Sequence, residues 1–172
     1  RALGSGPLGG YAIASRIPEV LSLLLQPIQD TAQPLLSRAH VEGQEKFSAE
    51  TLRLVRMSLA IGVALILVPC AFGDPLLKVW LRHQYVPGLA SILIGIAAFR
   101  AIEHFNVTIL LAFIAAGNPG LANPTSLFNA FATAILTFPA AYYFGIEGVV
   151  WMKLFIQVQA LLLIAILFKK VL

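Results

Sequence analysis

Runs of about twenty apolar residues, set apart by short polar or glycine- and proline-rich stretches, constrain this sequence more than any other feature. A helix rises about 1.5 Å per residue, so a run of that length crosses roughly 30 Å of hydrocarbon. Backbone N–H and C=O groups in hydrocarbon must find partners within the segment, and this selects helix. Composition removes the soluble alternative. Apolar residues make up 59% of the 172, charged residues 12%, and mean hydropathy is +0.85. A soluble domain carries about 25% charged residues. The expected fold class is therefore an all-α integral membrane protein, a single membrane domain of about five transmembrane helices. They are placed at 11–37, 54–72, 86–116, 125–144 and 149–168, with a polar loop at 38–53.

The first expected span is not uniformly apolar. Ser15, Glu19, Ser22, Gln26, Gln29, Asp30, Gln33 and Ser37 recur mostly at steps of three and four and form one stripe. Such a stripe faces other helices or a watery cavity rather than lipid. Pro18, Pro27 and Pro34 are expected to kink this helix. The loop that follows is the most charged stretch, and Arg38, Lys46, Arg53 and Arg56 place it in the cytoplasm. After the second span, 76–84 (LLKVWLRHQ) reads as a separate interfacial piece on the opposite side, where Lys78 and Arg82 run against the charge bias. GNPGLANP after the third span and GIEG after the fourth are turns. Ser126, Asn129, Thr133 and Thr137 share a face of the fourth span. Lys169 and Lys170 close the fifth, a second cytoplasmic signal on the same side as the first.

Arg100, Glu103 and His104 lie near the middle of the third span, and spacings of three and four place them on one face. A lone charge in a membrane helix costs at least about 2.5–3.5 kcal/mol, so three together imply a wet or protein-lined surrounding. Arg100 is a candidate for holding an anion, because a guanidinium forks onto phosphate oxygens. Glu103 and His104 are candidates for ion or proton coupling. Arg16, one turn from Glu19, is a second anion candidate, with Glu19, Gln26 and Asn129 as polar cavity lining and Asp30 as a further coupling carboxylate. Lys153 is expected to snorkel and pair with Glu147.

Other chemistries are not indicated. The twelve Lys and Arg are scattered, without the basic cluster and interleaved aromatics of a nucleic-acid surface. The three histidines are far apart, and no HExxH, CxxC or nucleophile elbow occurs, so neither an enzyme, a metal site nor a cofactor is expected. Cys70 is the single cysteine, which leaves no internal disulfide. The opening RALGSGPLGG has no initiator Met and reads as a cut from a longer chain, whose remaining helices would then be partners.

The order of these features resembles a known family. YAIASRIPEVLSLLLQPIQDTAQPLLSRAH, a charged loop, FGDPLLKVWL, a long helix ending AAGNPG, then FGIEGVVW and a lysine-ended helix follow one another. This is similar to the C-terminal portion of bacterial polysaccharide flippases, the Wzx-type O-antigen and exopolysaccharide transporters of the MOP/MATE-like superfamily. Where that family often carries a basic pair after the third of these helices, GNPGLANP has none. The resemblance implies the last five of about twelve helices in a MATE-like two-lobe transporter of the bacterial inner membrane. It implies alternating access that moves undecaprenyl-pyrophosphate-linked oligosaccharide between leaflets, with Arg16 and Arg100 as the cavity cations. Within the superfamily, a drug or cation antiporter or a peptidoglycan-precursor flippase is the alternative. A membrane-embedded glycan-assembly enzyme is the rival of a different class, and it would need a large external loop that this sequence lacks.

Overall fold

The structure, a computed structural model, describes residues 12, 15–20, 23, 26–82, 85 and 87–168. The start of the first expected span, Ser22 of its stripe, His83, Gln84 and the closing Lys169 and Lys170 lie outside the described residues. Every described element is helical. Residues 15–20 are helical, followed by α1 (Gln26–Glu42), α2 (Gln44–Leu81), α3 (Leu89–Ala115), a short 3-10 turn (Pro119–Leu121) and α4 (Asn123–Phe168). Among the described residues three helices are long and apolar enough to cross a membrane: α2, α3 and the stretch Pro119–Leu167 that contains α4.

The stretch 38–53, expected as a loop, is helical except at Gly43. Its Glu, Gln, Lys and Ala residues are good helix formers, and Glu50–Arg53 is an i,i+3 ion pair. Phe47, fully buried, shares a cluster with Ala32, Leu36, Leu54, Ala112 and Ala115, and that apolar anchor holds the first turns of α2 in place. Gly43, at φ +131, makes the break, and Lys46 reaches back across it to Glu42. The interfacial piece expected at 76–84 is, as far as Leu81, the continuation of α2 through Pro69 and Pro75. Each proline removes a backbone hydrogen bond, but Gly73 and Leu77 on either side of Pro75 are buried, and Leu93 of α3 lies 3.1 Å from where a Cβ on Gly73 would sit. Lys78 at this end is paired with Asp74 at 2.6 Å, so its charge is locally balanced.

α3 is the central helix. α2 runs antiparallel to it, as Ser58 meets Thr108, Gly62 meets Ala101 and Gly73 meets Leu93. α1 runs parallel to it, with Gln29 bonded to His104 and Leu36 in the cluster of Ala112 and Ala115. α4 is broken at Gly145, whose φ of 65 and ψ of −151 are not helical. A Cβ on Gly148 would lie 2.8 Å from the carbonyl oxygen of Ala140. Residues eight apart in a straight helix stand about 12 Å apart, so the chain folds sharply back here. We label the arms α4a (123–144) and α4b (146–168). α4b runs parallel to α3: Val150 closes on Gly95, Gln157 bonds Asn106, and Ile164 packs with Ile109 and Phe113. The expected fourth and fifth helices are thus the two arms of one folded element. α4a packs little, and Thr125 is its one buried residue. Phe131, Ile135, Phe138 and Tyr142 project outward from it.

Candidate functional site: the charged face of the central helix

The site follows from the 3.6-residue turn of α3. At about 100° per residue, Phe99 and Asn106 fall on one face and Ala101 and Thr108 on nearly the opposite one. The first face meets α4b and the second meets α2. His104 turns toward α1. Arg100 and Glu103 occupy the sector between His104 and Phe99, so they open between α1 and α4b. The other flank of α3 is mostly apolar: Ser58, Gly62, Val63, Ala101, Ile102 and Phe105 are among the residues that line a cavity of about 220 Å³ there.

Arg100 Nη1 donates to Glu103 Oε2 at 2.7 Å, and both side chains are about one-third exposed. The guanidinium also lies 4.9 Å from the centre of the Phe99 ring. Lys153 Nζ, from α4b, lies 5.6 Å from the same ring centre. Lys153 therefore does not pair with Glu147 as expected; the apolar seam between α3 and α4b gives its stem a place beside Phe99. Two cations thus lie close to one ring, and among the described residues Glu103 is the carboxylate paired with them, so the local charge is net positive. Arg100 Nε is buried with no hydrogen-bond partner, a donor left over for an anion.

A polar layer continues through the bundle at this level. Gln29 Nε2 donates to His104 Nδ1 at 2.8 Å. Thr108 Oγ1 donates to the His104 carbonyl at 3.0 Å and shares a 2.8 Å bond with Ser58 Oγ. Asn106 donates to Gln157 Oε1 at 2.9 Å. With Nδ1 accepting, the neutral His104 ring carries its proton on Nε2, which is buried and has no partner. The layer ties α1, α2, α3 and α4b together within otherwise apolar surroundings.

The structure brings Arg100, Glu103 and His104 together as expected and separates the others from them. Arg16 is 74% exposed and faces Glu19 at 4.0 Å, an arrangement worth little in water. Gln26 and Asp30 are exposed, as are Gln33 and Ser37; Gln29 is the member of that stripe that reaches α3. The buried face of α1 is Ala32, Leu36 and Ala39 instead. Asn129 sits on α4a with a buried Oδ1 that has no hydrogen-bond partner. Sequence reasoning had no route to Lys153 or Gln157 as neighbours of α3. Their contacts span about fifty residues of chain. The only local signal was their four-residue spacing in an apolar helix. Among the described residues no group of three His, Cys, Asp or Glu side chains could hold a metal. Just past the end of α2, Tyr85 donates to Asp74, and that bond holds the phenol pKa above its ordinary value.

No protein-family model, curated protein or solved structure matches this chain.

Proposed function

We propose that this chain is part of a multi-pass transporter of the bacterial inner membrane. In this reading it moves an anionic, lipid-linked oligosaccharide between leaflets, as the resemblance to the Wzx-type flippases implies. The observation that carries the reading is the pair of cations, Arg100 and Lys153, both close to the Phe99 ring inside helices apolar enough to span a bilayer. A pyrophosphate linked to sugars has a polar head that must not meet hydrocarbon. A guanidinium with a free Nε and an ammonium nearby supply charge-assisted donors in place of its water. The exposed polar stripe of α1 gives hydroxyls and amides for the sugars, and α4a presents apolar surface to the lipid or to further helices. In this reading the five expected spans are crossings of a two-lobed MATE-like transporter.

The test uses the full-length gene in cells that make a surface polysaccharide. Arg100→Ala is expected to abolish export and to leave lipid-linked repeat units accumulated in the inner leaflet at a normal level of membrane protein. Arg100→Lys keeps the charge but loses the fork, and it is expected to retain a fraction of export. Replacement of Arg16 by Ala serves as the comparison outside the layer. Unchanged export in all three would reduce Arg100 to a structural ion pair and remove the reading. Intact polysaccharide with loss of ion-driven drug efflux in Glu103→Gln would favour the antiporter.

A further inference from the structure

Lys78 and Arg82 stand against the charge bias of the sequence, and the fold accounts for one of them. Lys78 is paired with Asp74, whose other oxygen accepts from Tyr85. Arg82 is exposed and has no carboxylate partner among the described residues. It stands at one end of an open groove of about 960 Å³, between the helical residues 15–20 and the last turns of α2. Ile17 lines one wall, and Phe72, Leu76, Val79 and Trp80 of α2, all exposed, line the other. Arg82 is the one charged residue of the lining. Phe72 and Arg82 are ten residues apart, about 15 Å of helix. That is half of the roughly 30 Å hydrocarbon core, the depth of one leaflet. Trp80 stands near the polar end, where tryptophan is enriched at a membrane interface.

We infer that this groove holds an anionic glycerophospholipid of the surrounding leaflet, its acyl chains along Phe72, Leu76 and Val79 and its phosphate at Arg82. Charge and length together select this occupant. A guanidinium forks onto phosphate oxygens, and a cation at the membrane surface draws anionic lipid. The apolar wall below it matches the length of a leaflet's chains. An apolar helix laid in the groove would leave Arg82 without a counter-charge, and a soluble anion would gain nothing from the apolar wall. The inference needs only that α2 lies in a membrane, and the groove shares no residue with the layer around Arg100.

The test reads Trp80 by fluorescence. The full-length protein carries Trp151→Phe, with any tryptophan of the remaining chain replaced likewise, and is reconstituted in phosphatidylcholine vesicles. Phosphatidylglycerol with brominated acyl chains is added at rising mole fraction, against phosphatidylcholine brominated in the same way. Bromine quenches a tryptophan only at close contact. The phosphatidylglycerol is expected to reach half-quenching at about one-fifth of the mole fraction that the phosphatidylcholine needs. Arg82→Gly should abolish that preference. Arg82 has a φ of 46, which glycine adopts freely, so the charge is removed without straining the backbone. Arg82→Lys should keep most of the preference. With Arg82 in place, salt at about 1 M should bring the two lipids close to parity, a reading that needs no Arg82 variant. Equal quenching by the two lipids at low salt, or a preference that survives in Arg82→Gly, would overturn the inference. Absence of quenching by either lipid would show the groove covered by other helices and overturn it as well. The vesicles hold no lipid-linked sugar, so none of these outcomes bears on the transport reading.

Discussion

At the scale of single residues, the closest packing is made by glycines whose role the sequence did not announce. Gly95 lies in the apolar middle of α3 and looks like any small residue of a membrane helix. A Cβ there would lie 2.5 Å from Val150 Cγ1 of α4b. Valine is stiff at χ1 and cannot swing away. Gly95→Ala is therefore expected to destabilise the bundle by about 1–3 kcal/mol. Thermal unfolding of the purified protein in detergent checks this, and Val150→Ala in the same chain should recover most of the loss. The Arg100–Glu103–His104 group was legible because its charges stand in an apolar run at helical spacing. Lys153 was not, because the cation it accompanies is 53 residues away in the chain. Periodicity reports which face a residue shares and says nothing of which distant helix meets that face.

At the scale of elements, apolar length was read well and helix ends were not. The charged residues at 38–53 looked like loop, yet Phe47, Thr51 and Leu54 give that stretch a buried face at helical spacing. Polarity misled because these residues lie where α2 extends beyond its apolar middle: 38 residues span about 57 Å, well over the hydrocarbon thickness. Gly145 shows the reverse case. GIEG was read as a turn, and the reversal sits there. Its positive φ is costly for any residue with a Cβ, about 1–2 kcal/mol. Gly148 meets the backbone of Ala140, which cannot move aside without opening the fold-back. Gly148→Ala is expected to cost more than Gly145→Ala, and both should lower the monodisperse fraction on gel filtration. Equal stability of Gly148→Ala and the parent would mean that the arms do not close as described.

At the scale of the whole molecule, the packing registers sort the connections into two ends. Gly43 and the Gly117–Leu121 region lie at one end of α3, and Gly88 and Glu147 lie at the other, where a Cβ on Gly88 would be 3.6 Å from Glu147 Oε1. If the helices cross a bilayer, the two ends face opposite compartments. Cys70 is the one cysteine of this sequence, so Cys70→Ser, with any cysteine of the remaining chain replaced likewise, gives a clean background. Glu45→Cys and Asn118→Cys should react with an impermeant maleimide from one side of the membrane, and Pro87→Cys and Glu147→Cys from the other. Labelling of all four from one side would remove the crossing arrangement.

The fold-back also bears on how the chain is made. α4a holds almost no buried residue of its own, and what keeps it in place is the close seam with α4b at Gly148. During synthesis α4a emerges first and has no neighbour to lean on until its second arm follows. If the arms cross a bilayer, they are expected to enter it as one hairpin rather than in turn. A nascent chain halted between 146 and 160 would leave α4a bare at the insertion site, the form that membrane quality-control proteases remove.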